Sequence, residues 1–195
     1  ITTNSDLTLH AVKDIIRQKA IKRNVSLKIF EYGDIEIVSG IKVKAFAVPG
    51  KVALWLEDTN KGPNFGSVDE DTIALEICNE ETGASFFYIP ACAYVPDWLK
   101  EKLNNTNLLF FDGTLWTDDE MIKQKVGIKT GKRMGHISMS GEEGSLNAFK
   151  NVKINRKIFI HINTTNPALL NNSSERKILE DAGWEVAYDT MEIKI

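Results

Sequence analysis

Two polar residues accompany apolar segments at positions where sheet proteins commonly place their chemistry. His161 lies near the end of the apolar run 157–162, and Asp112 directly follows the apolar residues 108–111. Ligands of α/β proteins gather at strand ends, and an imidazole with a pKa of about 6.5 binds a metal at neutral pH. Each residue also has a structural interpretation: His161 as a core histidine bonded to a carbonyl, and Asp112 as the cap of a turn.

His136 lies in a loop that contains glycines at positions 127, 131, 135 and 141. Such glycines let backbone approach a ligand closely, although they are also compatible with a loop that is simply mobile. A pair formed by Asp112 and His136 would be an acid/base dyad, because a carboxylate fixes the tautomer of an imidazole and stabilises its protonated form. We therefore predict these two as catalytic residues and expect them to converge with His161 on one pocket at the rim of the sheets.

Two further residues are candidates for binding a substrate. Asn163 could hydrogen-bond a substrate, but formation of the turn before Pro167 explains it equally well. Trp116 could line a pocket for an aromatic substrate, or it could pack at the boundary of the core. Cys92 follows a predicted strand and is expected to be a small buried core residue, with exposure to the site as the alternative.

Composition limits the classes of partner. The 195 residues suffice for one domain with a real core, and the net charge of −3 gives no reason to expect nucleic acid or an anionic membrane. Since no apolar run approaches the roughly 18–20 residues that a membrane span needs, we expect none. Two cysteines outside any CxxC pair indicate a reduced, cytoplasmic protein rather than a disulfide scaffold.

Two patterns of secondary structure succeed one another along the chain. A capped helix over about 5–24 is followed by alternating β-runs at 27–46, 52–56, 72–78 and 85–89. The second half alternates helices with strands: helices at 97–103, 118–123, 145–150 and 173–182, and strands at 108–111, 157–162, 186–188 and 191–195. This order predicts a mixed α/β protein, a sheet covered by helices, without selecting one fold.

Four segments together carry a family resemblance: 111–122, 134–141, 156–167 and 183–193. In this order and spacing they resemble the coenzyme PQQ (pyrroloquinoline quinone) biosynthesis protein B family, densely from about Asp71 onward and loosely before it. The resemblance implies an α/β (α+β) fold, the metallo-β-lactamase-like αββα sandwich. It also implies that residues 1–195 are a single, partial domain that lacks much of the family's N-terminal half.

The resemblance implies roles for three residues. His161 matches the last metal-ligand histidine of the superfamily, and Asp112 and His136 match a proton-relay pair of related tRNA 3′-processing nucleases. Ala91 and Cys92 occupy the region where hydrolytic relatives carry a bridging aspartate, and the middle histidine ligand is also lacking. The family's upstream Asp-His metal motif and its cysteine-rich zinc site are not in this chain. A two-zinc hydrolase is therefore disfavoured.

The leading functional expectation is a step of PQQ biosynthesis. His161 together with an upstream aspartate and histidine would form a 2-His-1-carboxylate set, which favours Fe(II) over Zn(II) and suits O₂ chemistry. The implied reaction is hydroxylation of a tyrosine-derived PQQ precursor, with the Asp112–His136 pair moving protons and with Trp116 and Asn163 binding the precursor. Two alternatives stay open: a carrier that transports PQQ or its precursor, and a metal-dependent hydrolase. Open edge strands also suggest a homodimer.

Overall fold

The computed structural model describes residues 28–29, 34–38, 40–52, 57–62, 66–67 and 71–195. The chain divides into two compact units, with the boundary between Ser85 and Phe86. The helix predicted over about 5–24 and most of the β-run 52–56 lie outside the described residues. Within the described residues, no helix combines the length and the apolar character that crossing a bilayer requires. The single-domain organisation stays a prediction.

The first unit contains an antiparallel meander. Its strands are β1 (Lys28–Ile29), β2 (Asp34–Val38), β3 (Ile41–Ala47) and β4 (Ile73–Asn79), each paired with the next. The β3–β4 ladder is continuous from Ile41 opposite Asn79 to Ala47 opposite Ile73. The alternation of apolar and polar residues over 27–46 correctly predicted strands in this segment, where β1, β2 and β3 lie.

The second unit contains a parallel sheet. Its strands are β5 (Ser85–Ile89), β6 (Thr106–Asp112), β7 (Ile154–Ile160) and β8 (Trp184–Val186), and each is parallel to the next along the chain. Strands of parallel sheets are covered on both faces, which explains the consecutive apolar residues 108–111 of β6 and 158–160 of β7. Because the strands run in one direction, the residues that follow β6 and β7 emerge at the same edge of the sheet.

Five helices accompany the second unit: α1 (Asp97–Leu103), α2 (Glu120–Lys123), α3 (Gly131–Met134), α4 (Ser145–Ala148) and α5 (Ser174–Asp181). As the sequence predicts, Ser173 caps α5 by accepting the backbone N–H of Arg176, and Gly183 follows the helix with a left-handed φ of 75°. The strand predicted over 191–195 is wrong. Thr190 turns the chain with φ 68°, and the segment after it is largely exposed and forms no strand.

Aromatic side chains pack around the ends of β6 and β7, and Trp184 contacts Phe111 and Phe159 from the two strands. Phe111 of β6 meets Phe149 edge-to-face with ring centroids 4.9 Å apart, and Phe159 of β7 stacks on Trp184 at 3.9 Å. All four side chains are buried. Such packing holds the two strand ends in a fixed relation, because interiors are close-packed and resist local shifts.

Asn166 fastens the loop after β7 to the loop after β6. Its Oδ1 accepts the backbone N–H of Ala168 at 2.9 Å, and its Nδ2 donates to the carbonyl of Gly113 at 3.0 Å. The side chain is buried, so Asn166→Ala leaves buried backbone groups without partners. We expect a loss of about 2–3 kcal/mol in the free energy of unfolding, measured by urea denaturation.

A matched control for this substitution is Asn155→Ala. Asn155 donates to Asn107 on the exposed surface, where the cost should stay within about 0.5 kcal/mol. Equal losses for the two variants would contradict the assigned role of Asn166.

Candidate metal centre

Asp112 is the last residue of β6 and its carboxylate is fully buried. Oδ1 accepts the backbone N–H of Thr114 at 3.1 Å and its hydroxyl at 2.6 Å. Oδ2 accepts the backbone N–H of Cys92 at 3.1 Å and lies 2.7 Å from Nδ1 of His136. The two interpretations of Asp112 are therefore compatible, because one oxygen caps the turn after the strand while the other contacts a histidine.

Gly113 brings the chain after β6 against the end of β7. Its backbone N–H donates to the carbonyl of Ile160 at 2.9 Å. A Cβ at this position would lie 2.9 Å from Cβ of Phe159 and 2.7 Å from Cε of Met139. Only glycine permits this approach, which sets Thr114 beside the residue that follows β7.

His136 follows the short helix α3. Gly135 ends the helix with a left-handed φ of 86°, and the N–H of His136 donates back to the carbonyl of Gly131. The glycine-rich segment around His136 therefore includes a capped helical turn, in which Gly135 supplies the conformation that a C-cap needs. The imidazole of His136 is 15% exposed and is directed at Asp112.

His161 stands immediately after β7 in a left-handed conformation with φ 55°. Its Nδ1 lies 2.9 Å from the hydroxyl of Thr114 and 3.7 Å from Oδ1 of Asp112. The side chain is 53% exposed. The interpretation as a core histidine bonded to a carbonyl is therefore wrong. A non-glycine residue in this backbone region is strained, and such strain clusters at functional sites.

The structure brings the three predicted residues together. The imidazole rings of His136 and His161 have centroids 5.1 Å apart and are tilted by 32°. One donor atom from each ring and one from Asp112 all lie within 4.8 Å of one another. Imidazole is a donor that suits Zn(II) and Fe(II), so the cluster is a candidate for one part of a divalent-metal site.

Charge within the cluster is set by opposing effects on Asp112. Burial raises the pKa of its carboxyl group, but the hydrogen bonds from His136 and Thr114 and the nearby imidazole of His161 outweigh burial, and the pKa lies below its usual value. The carboxyl group is therefore ionised at neutral pH. The carboxylate of Asp112, which lies 3.7 Å from Nδ1 of His161, raises the pKa of His161 against the opposing effect of desolvation.

Trp116 and Asn163 are involved in loop structure. The backbone N–H of Trp116 donates to Oε2 of Glu120 at 2.7 Å. The backbone N–H of Asn163 donates to the carbonyl of Thr114 at 3.0 Å, and its Nδ2 donates to the hydroxyl of Thr165 at 2.6 Å. These contacts agree with the turn interpretation of Asn163, while the substrate-binding roles of both residues stay predictions.

Two residues that support the candidate residues were not predicted from the sequence. Thr114 contacts all three donor residues, and the buried carboxylate of Glu120 accepts hydrogen bonds from Trp116 and from the hydroxyl of Thr165. A hydroxyl two residues after a strand-end aspartate was an available signal for Thr114. Glu120 stands in the first turn of a helix, where an acidic residue ordinarily indicates a solvated surface.

Cys92 contacts Asp112 through its backbone N–H, whereas its thiol is directed at another group. The buried Sγ lies 3.1 Å from the carbonyl of Tyr94. Burial, together with the charge of Asp112, raises the pKa of the Cys92 thiol to about 12. The thiol is therefore neutral at neutral pH, and it donates its hydrogen to this carbonyl.

The sheet and the helices define an α/β protein, and the three donor residues at the strand ends are a candidate metal site. The family model that matches is the β-lactamase superfamily domain, over residues 3–162. The chain belongs to the β-lactamase superfamily, which confirms the predicted fold class.

Within the superfamily the chain resembles coenzyme PQQ synthesis protein B. It is 44% identical to that protein of Bradyrhizobium diazoefficiens over 191 residues, which are 96% of this chain and 61% of the relative. It is 43% identical to that of Xanthomonas oryzae pv. oryzae, covering 96% of this chain and 64% of the relative. The chain therefore spans slightly less than two thirds of these relatives.

Two solved structures are also similar to this chain. The crystal structure of Zn²⁺-bound PqqB from Methylobacterium extorquens superposes with a TM-score of 0.78 at 43% identity, covering 86% of this chain and 55% of that chain. A diphosphatase of the PhnP family, at 17% identity and a TM-score of 0.53, shares the fold; the match covers 88% of this chain and 49% of that one.

The left-handed backbone of His161 gives a stability prediction. A residue with a Cβ is disfavoured in this conformation by roughly 1–2 kcal/mol, whereas glycine adopts it freely at an entropic cost of roughly 0.5–1 kcal/mol. We expect His161→Gly to be more stable than His161→Ala by about 0.5–1 kcal/mol in urea denaturation. At exposed Lys177 within α5 the order should reverse, because alanine favours a helix over glycine. The same order at both positions would contradict the assigned conformation.

The buried thiol gives a reactivity prediction. In the folded protein at about pH 8, iodoacetamide should alkylate half-buried Cys78 and leave Cys92 unmodified, because the nucleophile is the thiolate. Peptide mass spectrometry measures both sites, and labelling in denaturant provides the control in which both react. Equal labelling rates in the folded protein would contradict the burial of Cys92.

Proposed function

We propose that the chain carries part of the metal-dependent active site of a PQQ synthesis protein B, which hydroxylates a tyrosine-derived precursor of PQQ. The observation that carries the proposal is the convergence of Asp112, His136 and His161 at the end of the parallel sheet. The similarity to named PQQ synthesis proteins supports the pathway.

His161 is the proposed metal ligand of this chain. Its ring is half exposed, and its Nδ1 is directed at Thr114, so Nε2 is the nitrogen left for an ion. The family resemblance implies that an upstream aspartate and histidine complete the ligand set. With two histidines and one carboxylate, a bound Fe(II) would supply O₂ activation. Fe(II) is the proposed metal. The M. extorquens structure contains Zn²⁺, and the experiment therefore compares the two metals.

His136 is the proposed proton carrier. Its Nδ1 lies 2.7 Å from the ionised carboxylate of Asp112, which orients the ring and fixes its tautomer. The remaining nitrogen, Nε2, is the one that exchanges a proton with the substrate. Trp116 and Asn163 are the proposed contacts of the aromatic, carboxylate-rich precursor.

The proposed reaction balances as a monooxygenation. One oxygen atom of O₂ replaces a hydrogen on the aromatic ring to give C–OH, and the other leaves as water. Two electrons and two protons are required, so the proposal includes an external two-electron reductant of the ascorbate class.

The direct test is oxygen incorporation with a tyrosine-derived precursor peptide. Protein loaded anaerobically with Fe(II) or with Zn(II) is exposed to ¹⁸O₂ and reductant, and mass spectrometry measures label in the product. We expect label with Fe(II) only. His161→Ala should lose metal and activity together, and His136→Ala should keep metal but react roughly 100-fold or more slowly. Asn155→Ala is the control expected to behave as the unmodified protein.

Three results would contradict the proposal or favour another function. Full metal content and activity in His161→Ala would remove that residue from the ligand set. A carrier of PQQ or its precursor would instead bind its ligand with unchanged affinity after chelation, measured by calorimetry. Hydrolysis without oxygen incorporation would favour the metal-dependent hydrolase.

A further inference from the structure

The hydroxyl of Thr114 lies between the two imidazoles of the cluster. Its Oγ1 is 2.6 Å from Oδ1 of Asp112, 2.9 Å from Nδ1 of His161 and 3.1 Å from Nδ1 of His136. The residue is nearly buried. Three polar contacts around one hydroxyl restrict where each hydrogen can be.

The single hydrogen of the hydroxyl belongs to the bond with Asp112. This contact is the shortest of the three, and its acceptor is ionised, which is the combination that gives short O–H···O⁻ bonds. The hydroxyl therefore turns its lone pairs towards the two histidines, because a threonine offers one donor and two acceptor positions.

The carboxylate of Asp112 has no hydrogen to give to either ring. Its oxygens already accept from the backbone N–H groups of Cys92 and Thr114 and from the threonine hydroxyl. Nδ1 of His136 thus faces the carboxylate and a lone pair of Thr114, and Nδ1 of His161 faces another lone pair. A ring nitrogen surrounded by acceptors must carry the hydrogen itself.

We propose that Thr114 is a positioning residue that holds His161 in the Nδ1–H tautomer and, together with Asp112, holds His136 in the same tautomer. A neutral imidazole has one N–H, so both Nε2 atoms then carry lone pairs. The tautomer assignment rests on the hydrogen-bond network alone, whereas its use in binding a metal rests on the proposed function. Metal-ligating histidines commonly have their other ring nitrogen fixed in this way.

The backbone keeps this hydroxyl in place. The N–H of Gly113 donates to the carbonyl of Ile160, and the carbonyl of Thr114 accepts the N–H of Asn163. The segment Gly113–Thr114 is therefore hydrogen-bonded to the residue before His161 and to the second residue after it. Its β-branched side chain has few rotamers, so the position of Oγ1 follows from the backbone.

The first test needs no substitution. Protein labelled with ¹⁵N-histidine is examined by NMR without metal, above the pKa of both rings, where ¹⁵N shifts distinguish protonated from unprotonated ring nitrogens. We expect hydrogen on Nδ1 and a lone pair on Nε2 for His136 and His161. Because free histidine in water favours the Nε2–H form, an Nε2–H pattern for His161 overturns the proposal whatever the variants do.

Two variants separate the hydroxyl from the rest of the side chain. Thr114→Val keeps the shape and removes the hydroxyl, and Thr114→Ser keeps the hydroxyl. In Thr114→Val we expect His161 to gain the Nε2–H form and the affinity for Zn(II), measured by chelator competition, to fall roughly 10–100-fold. Thr114→Ser should retain the tautomer and lie within about threefold of the original affinity.

The outcomes distinguish this inference from the proposed function. If the metal-free spectra give the expected tautomers but neither Fe(II) nor Zn(II) binds, the proposed function fails and the inference stands. If metal binds and hydroxylation occurs while Thr114→Val keeps the original tautomer and affinity in a folded protein, the inference fails alone.

Discussion

A single buried carboxylate organises the candidate site in the described part of the chain. An ionised group removed from water is costly unless it is fully hydrogen-bonded, and Asp112 meets that condition through two backbone N–H groups, one hydroxyl and one imidazole. These partners come from three separate segments of the second unit. The need to satisfy one charge therefore fixes the turn after β6, the segment at Cys92 and the ring of His136 relative to one another.

The parallel sheet explains why these groups meet. Since β6 and β7 are paired and run in the same direction, Asp112 and His161 emerge at one edge, and Trp184 packs against both Phe111 of β6 and Phe159 of β7. Gly113 then allows the two strand ends to approach closely. The site depends on backbone placement first and on side-chain chemistry second, as is usual for ligand sites of α/β proteins.

Part of this site was predictable from the sequence, for identifiable physical reasons. Polar residues after apolar runs indicated Asp112 and His161, and the flanking glycines drew attention to His136; their convergence is confirmed, while their roles stay predictions. The left-handed backbone of His161 was beyond sequence analysis, because only the packed sheet imposes it. Thr114 was missed because a single threonine beside an aspartate is common in turns. The strand at 191–195 was wrong because alternation alone does not supply a neighbouring strand for pairing.

The distribution of the donor groups along the chain has a thermodynamic consequence. Asp112, His136 and His161 belong to segments far apart in sequence, and they are adjacent only once β7 has paired with β6. An unfolded chain therefore offers no comparable cluster, and an ion bound here would add its binding free energy to that of folding. The affinity of these three residues for an ion would therefore depend on how completely the second unit has folded.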